Sequence, residues 1–386
     1  MDHNFLQQKY VLNTYVNRQL TLVRGQGVFL YGEDGGRYLD LMGNYGVNIF
    51  GHSHPKITKV IAAQLKRLTV LHGSFGNDVR AEASEALVKR CGENYARVYW
   101  SNSGAEAVEA ALKFAVLATG KRRFIACENG YHGKTLGALS ATGGDKYKKQ
   151  FEPLLWEFAR VPFDDIEALE KAIDAETAAF IIEPVQGEGG VLIPAEDYLS
   201  KAREICSRRG ILLVIDEIQT GAGRTGRFLV SEGVPADIIC LGKGLAGGLP
   251  VGATLVSEKV AQSVPRHMHT STFGGNPLAC AGVIATLNLL DEKLMARVAE
   301  VGRYFGEELA ALRSGLISEI RGRGLMFGLT IKDNKRDKVL QLLQKERILA
   351  IPAGDDVVRL LPPLILEKKH VDLGVGALKK VLSQLS

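Results

Sequence analysis

Hydrophobic and polar positions follow three regimes along the chain. Residues 21–41 hold short apolar runs (TLVRGQG, VFLYGEDGG and RYLDLM) cut by turn residues, and Gly35-Gly36 after Asp34 is a hairpin signal. They predict two or three strands. From about residue 98 the pattern changes to buried runs separated by amphipathic segments. The runs are VYW (98–100), RFIAC (123–127), AAFIIEP (178–184), ILLVIDE (211–217) and DIICLG (237–242). Segments such as AEDYLSKAREICSRRG (195–210) between them have helical spacing. Strands that are apolar on both faces and alternate with helices predict an α/β fold with a mostly parallel sheet covered on both sides. Past about residue 276 comes a long helical stretch, PLACAGVIATLNLLDEKLMARVAEVGRYFGEELAALR. Strand-like EIRGRGLMFGLTI, a helix, ILAIPAG and VVRLLPPL follow. That succession predicts a smaller α+β domain packed with the N-terminal strands. The expected division is 1–45 as an N-terminal segment joining the small domain, 46–275 as the large domain, and 276–386 as the small one.

Composition narrows the class. A chain of 386 residues with 46% hydrophobic content can bury a large core, and 24% charged residues with 43 Gly and 12 Pro is ordinary for a globular α/β protein. The net charge of +5 is too small and dispersed to argue for nucleic acid, though it favours an acidic substrate or partner. Five scattered cysteines without paired spacing point to reduced thiols and a cytoplasmic protein. No signal peptide and no apolar run long enough for a membrane span is visible.

The candidate chemistry lies where buried strands end, the edge at which open α/β sheets gather ligands. ILLVID ends in Asp216, DIICLG leads to Lys243 between two glycines, and VYWSNSGAEA ends in a Ser-Gly turn that opens a helix. A carboxylate, an amine and a helix N-terminus therefore converge. Pyridoxal phosphate needs these three: an amine for its aldehyde, a carboxylate for its ring nitrogen, and N–H groups for its phosphate. Each signal has an ordinary structural explanation. Asp216 serves equally as an N-cap, Lys243 as a solvated side chain, and Ser103 with Glu106 as a capping box. The combination is more specific than its parts. Two formal motif matches fail. GAGRTG (221–226) fits a dinucleotide glycine pattern but neither follows its strand directly nor clearly opens a helix, and GKT (133–135) lacks the first P-loop glycine because Glu128 stands there. No His/Cys spacing suggests a metal.

At these residues the sequence resembles the class III aminotransferases of fold type I, the ornithine aminotransferase family. The matching stretches are GHSHP (51–55), NSGAEAVEAALKFA (102–115), YHGKTLGALSATG (131–143), EPVQGEGGV (183–191), DEIQTGAGRTG (216–226), GKGLAGGLPVGA (242–253), TSTFGGNPLA (270–279), RGRGLMFGL (321–329) and VVRLLPPL (357–364). They run colinearly from about residue 20 to about 380. The resemblance implies a large domain with a seven-stranded, mostly parallel sheet, and pyridoxal 5′-phosphate as cofactor. It makes Lys243 the lysine bonded to the cofactor and Asp216 the partner of the pyridine nitrogen. Gln219 would bond the phenolic oxygen, Tyr131 would stack on the ring, and His132 would stand beside it. Ser103, Gly104 and Ala105 would hold the phosphate, with Thr272 reaching in from the neighbouring subunit of a homodimer. On the substrate side it implies Arg359 as carboxylate clamp, Glu188 as the switch residue that pairs with it, and Tyr45 and Ser271 as further contacts. Lys134 stands where the family usually has Arg, so a far carboxylate would meet a point charge instead of a planar fork.

The implied activity is transfer of the terminal amine of N-acetylornithine, or another N-acylated ornithine or lysine, to 2-oxoglutarate in arginine or lysine biosynthesis. The alternatives are a transaminase whose substrate rides on a small acidic carrier protein, ornithine δ-aminotransferase, and an aminomutase or other ω-amine transaminase on the same fold. A catalytically dead interaction protein would lack Lys243 or Asp216, and both are present.

Overall fold

The computed structural model describes residues 3–385. β1 (Leu22–Gln26), β2 (Phe29–Gly32) and β3 (Arg37–Asp40) form from the three N-terminal runs. The β2–β3 turn closes on Asp34, whose Oδ1 accepts from the Gly36 N–H at 2.9 Å. Gly35 takes the left-handed step there at φ +76°.

The middle of the chain supplies β4 (Arg97–Ser101), β5 (Arg123–Cys127), β6 (Glu157–Val161), β7 (Thr177–Ile182), β8 (Leu212–Asp216), β9 (Ile238–Leu241) and β10 (Gly252–Val256). These assemble as one sheet in the order β4-β10-β9-β8-β7-β5-β6. The strands from β9 to β6 are parallel, and only β10 runs against its neighbours. The architecture is the α/β fold expected, and every residue of β7, β8, β9 and β10 is buried. Two of the seven strands, β6 and β10, have no counterpart among the predicted runs. β6 is an edge strand with one buried residue, Val161, so its sequence lacks apolar continuity. β10 returns antiparallel through a short loop, without the helical crossover that sets off its parallel neighbours.

The helix Gly104–Thr119 shows how local rules position the site. Ser103 Oγ caps it by accepting from the Glu106 N–H at 3.2 Å, and Gly120 ends it in the left-handed conformation. Its buried positions are mostly alanines (107, 110, 111 and 115), which let it lie close on β9 and β10. The helical stretch after residue 276 is two helices, Pro277–Leu289 and Glu292–Ala310, not one. Asp291 breaks it because its side chain caps the second helix, accepting from the Leu294 N–H at 2.8 Å.

The C-terminal part adds β11 (Ile317–Arg323), β12 (Met326–Ile331), β13 (Ile348–Leu349), β14 (Ile351–Ala353) and β15 (Val357–Leu360). β11-β12-β15-β14 form one antiparallel sheet, while β13 leaves it to pair in parallel with β3, Leu349 opposite Asp40. The N-terminal strands are thus hydrogen-bonded to the C-terminal part of the chain. In the antiparallel sheet Arg359 lies opposite Gly328 on one side and Ile351 on the other, in a central strand. No helix among the described residues is long and apolar enough to cross a membrane.

Gly324, in the turn between β11 and β12, has φ +59°, and a Cβ there would sit 2.5 Å from Thr225 backbone atoms. Gly324→Ala should therefore destabilise the protein by about 2 kcal/mol or more, seen as a lower denaturant midpoint at unchanged slope. A shift under roughly 0.5 kcal/mol would contradict this packing.

Candidate active site

Five strands of the large sheet deliver polar groups to one edge. β8 ends in Asp216, which is buried. Its Oδ2 lies 2.8 Å from His132 Nδ1, and its Oδ1 accepts from the Ile218 N–H at 3.0 Å. His132 follows β5 and is itself buried, its backbone N–H bonded to Thr142 Oγ1 at 2.9 Å, while Nε2 has no partner. β7 leads to Glu183, whose two oxygens accept from the N–H of Tyr131 at 2.8 Å and of Gly187 at 3.3 Å. Burial pushes the Glu183 carboxyl up, with His132 opposing the shift.

β9 runs into Lys243. That residue takes φ +43°, a left-handed value that costs a non-glycine residue roughly 1–3 kcal/mol and persists only where its surroundings impose it. Its ammonium makes no hydrogen bond or ion pair with another described residue. Burial lowers its pKa, and the charges of Asp216 and Glu183 oppose that shift. The amine is held among charges that do not neutralise it by contact.

β4 leads to the Ser103 turn and the N-terminus of the helix Gly104–Thr119. By helix geometry the first-turn N–H groups of Gly104 and Ala105 have no partner inside the helix. This end lies against the lysine turn: a Cβ on Gly242 would stand 3.4 Å from Gly104 Cα. A Cβ on Gly133 would meet that of Ala105 at 2.7 Å, so the His132–Gly133 backbone closes over the same helix end.

The antiparallel sheet contributes Arg359, a fully buried side chain. Its Nη2 lies 2.7 Å from Glu188 Oε2, and its Nη1 donates to Gln219 Oε1 at 3.3 Å. Its guanidinium carbon stands 5.7 Å from the centroid of Tyr45, a half-exposed ring in a left-handed stretch at Asn44 and Tyr45. That stretch is anchored by the buried Asp40, whose oxygens take the Met42 and Gly43 N–H groups and, at 2.8 Å, His52 Nε2. Beside Glu188 opens a cavity of about 270 Å³, lined among others by Tyr131, Tyr147, Lys146 and Gly354.

Lys243, Asp216, His132, Tyr131, Gln219, Arg359, Glu188, Tyr45 and the Ser103–Ala105 turn are thus brought together. Lys134 stands apart, exposed at the rim with its ammonium 5.4 Å from the Tyr147 ring. Ser271 touches the edge of the site, its Oγ 3.3 Å from Asn102 Nδ2, and Thr272 beside it is exposed. Glu183 and Tyr147 are absent from the sequence-derived set. Glu183 had a signal, for it ends a buried apolar run as Asp216 does. Tyr147, in the lysine-rich DKYKKQF, had none.

The arrangement has known counterparts. An acetylornithine aminotransferase of Aquifex aeolicus is 44% identical over 97% of this chain and 100% of its own. A protein of Pyrococcus furiosus named as a LysW-aminoadipate semialdehyde/glutamate semialdehyde transaminase is 42% identical over 95% of this chain and 97% of its own. A solved ornithine aminotransferase of Toxoplasma gondii, with partial occupancy of PLP at its active site, superposes with a TM-score of 0.95 at 34% identity. The superposition covers 99% of this chain and 94% of that one. The model of the class-III aminotransferases matches residues 10–382, and the chain belongs to that family.

Proposed function

We propose that the protein transfers the terminal amine of N-acetylornithine, or a close N-acylated ornithine or lysine, to 2-oxoglutarate, with pyridoxal 5′-phosphate as cofactor. The observation that carries this reading is the meeting of the unpaired Lys243 amine, the buried His132–Asp216 pair and the free N–H groups of Gly104 and Ala105 at one edge of the sheet. This donor set fits the cofactor. Lys243 Nζ would bond its aldehyde carbon, Asp216 its ring nitrogen, Gln219 its phenolic oxygen, and Ser103, Gly104 and Ala105 its phosphate, with Tyr131 against the ring. When bound, the cofactor supplies an electron sink for the carbon that loses its proton.

The protein's part is to hold and move protons. Asp216, oriented by His132 and the Ile218 N–H, stabilises a proton on the ring nitrogen. Lys243 Nζ takes the proton from the amine-bearing carbon, a task its lowered pKa suits because the base must be neutral. Arg359 binds the α-carboxylate of glutamate with its planar fork. An ω-amine substrate brings no carboxylate to that point, and Glu188 then neutralises the guanidinium.

We also propose a homodimer, in which Thr272 and Phe273, exposed in the single chain, would face a neighbour and Thr272 would serve its phosphate. A second substrate reading, an acyl diamine carried on a small acidic protein, is favoured by the exposed Lys134 and by Lys146 at the pocket mouth. Half-reactions with acetylornithine, free ornithine, acetyl-lysine and a carrier-linked lysine separate these substrates.

Borohydride reduction of the purified enzyme should fix the cofactor on the tryptic peptide that contains Lys243, read by mass. Lys243→Ala should show no such adduct and no transamination, and an active variant would overturn the cofactor assignment. Asp216→Ala should lower turnover by several orders of magnitude, roughly 3–6 kcal/mol at about 1.36 kcal/mol per tenfold. Activity within tenfold of wild type would remove Asp216 from its role.

The gate predicts asymmetric damage. Glu188→Ala should spare or improve the half-reaction with glutamate and slow that with the ω-amine roughly tenfold or more, as befits loss of a charge-assisted pair. Arg359→Ala should do the reverse. Equal slowing of both halves in stopped-flow absorbance would make Glu188 a structural residue.

A further inference from the structure

Glu188 has two carboxylate oxygens and two different partners. Oε2 faces Arg359, while Oε1 accepts from the Tyr147 hydroxyl at 3.2 Å. The backbone around Glu188 is pinned: its carbonyl accepts from the Gly354 N–H at 2.8 Å, and Arg321 Nη2 holds the Gly190 carbonyl at 2.9 Å. Displacing the carboxylate is therefore a side-chain rotation, and the bonds at its two oxygens set the cost.

Tyr147 is built to hold one of those oxygens. Burial first, and the Glu188 charge second, push its phenol above the ordinary tyrosine value, so it remains a neutral donor. Its ring meets Tyr131 edge-on at 5.8 Å between centroids, and the ammonium groups of Lys134 and Lys146 stand 5.4 and 5.2 Å from its centre. Lys146 in turn lies 3.2 Å from Asp355, the residue after the glycine that holds the Glu188 carbonyl. The hydroxyl is thus fixed by contacts that do not involve Arg359.

We propose that Tyr147 is a latch on the gate: its hydroxyl holds the Glu188 carboxylate against Arg359 and sets how readily an incoming α-carboxylate displaces it. Tyr147 is then a positioning residue that determines the balance between glutamate and the ω-amine substrate. The proposal rests on the reading of Glu188 as a gate.

Tyr147→Phe tests it, because it keeps the ring and its packing and removes only the hydroxyl. Two quantities are measured on the holoenzyme: stopped-flow half-reactions with glutamate and with acetylornithine, and calorimetric affinity for glutarate, a dicarboxylate with no amine to react. The latch predicts that the glutamate-to-acetylornithine ratio of kcat/KM rises roughly three- to tenfold, the range of an ordinary net hydrogen bond, as befits a partly open site. Glutarate should bind more tightly by a similar factor. Neither quantity should change further when Tyr147→Phe is added to Glu188→Ala. Equal effects on both half-reactions, unchanged glutarate affinity, or a full effect that persists without Glu188 would each overturn the latch. If Glu188→Ala shifts the ratio and Tyr147→Phe does not, the latch alone fails. If Glu188→Ala leaves the ratio unchanged, the gate fails and the latch with it.

Discussion

A guanidinium taken wholly out of water is costly unless its charge is met, and much of this site is arranged around the one at Arg359. Removing one partner of a buried ion pair costs about 3–5 kcal/mol, because the remaining charge is left uncompensated. Arg359 lies in a central strand, between β12 and β14, and its side chain is fully buried and also bonded to Gln219, which leaves it little room to withdraw. Its partner must therefore be the mobile member. Glu188 is on a loop and partly open to the cavity, so on the proposed reading it is the partner that an arriving carboxylate would displace. On the proposed reading, one rigid cation and one movable anion would let a single pocket accept both a substrate with a carboxylate beside its amine and one without.

The opposite solution operates a few residues away. Lys243 is held near Asp216 and Glu183 but touches neither, and its burial depresses a charge that the carboxylates partly restore. Contact would fix the ammonium as a salt bridge, which the proposed role of Lys243 as a base does not allow. Asp216 is instead occupied by His132 and the Ile218 N–H, leaving the lysine free. Close backbone approach brings these groups together. The absence of side chains at Gly104, Gly133 and Gly242 lets a helix end, a strand end and a loop come within van der Waals distance.

These features differ in how far the sequence discloses them. Buried parallel strands announce themselves because both faces are apolar, and RFIAC coincides with β5 residue for residue. Their terminal residues are legible for the same reason: Asp216 and Lys243 stand out against apolar runs. β6 and β10 do not, since an edge strand has one wet face and an antiparallel return lacks the helix that would set it off. Arg359, Glu188 and Gln219 lie 140 or more and 31 residues apart along the chain in successive pairings, and no spacing rule could unite them. Only the resemblance to the family brought them into one set.

Tyr147 marks where both kinds of reading stop. It sits in a four-residue helix among lysines, a composition that reads as a solvated surface turn. What gives it consequence is tertiary: the left-handed Gly144 before it and the packing of its ring on Tyr131 turn its hydroxyl toward Glu188. A residue acting on the reaction through another side chain need carry no reactive group and obey no motif. Control of substrate choice can therefore lie outside the residues that do the chemistry. Here the outer end of the Glu188 carboxylate is bonded to a neutral phenol while its inner end faces a cation. The inner bond is the stronger, and on the proposed gating it is the one a substrate carboxylate would replace. The outer bond has no such substitute, so it adds to the closed state without being offered by the glutamate that opens it.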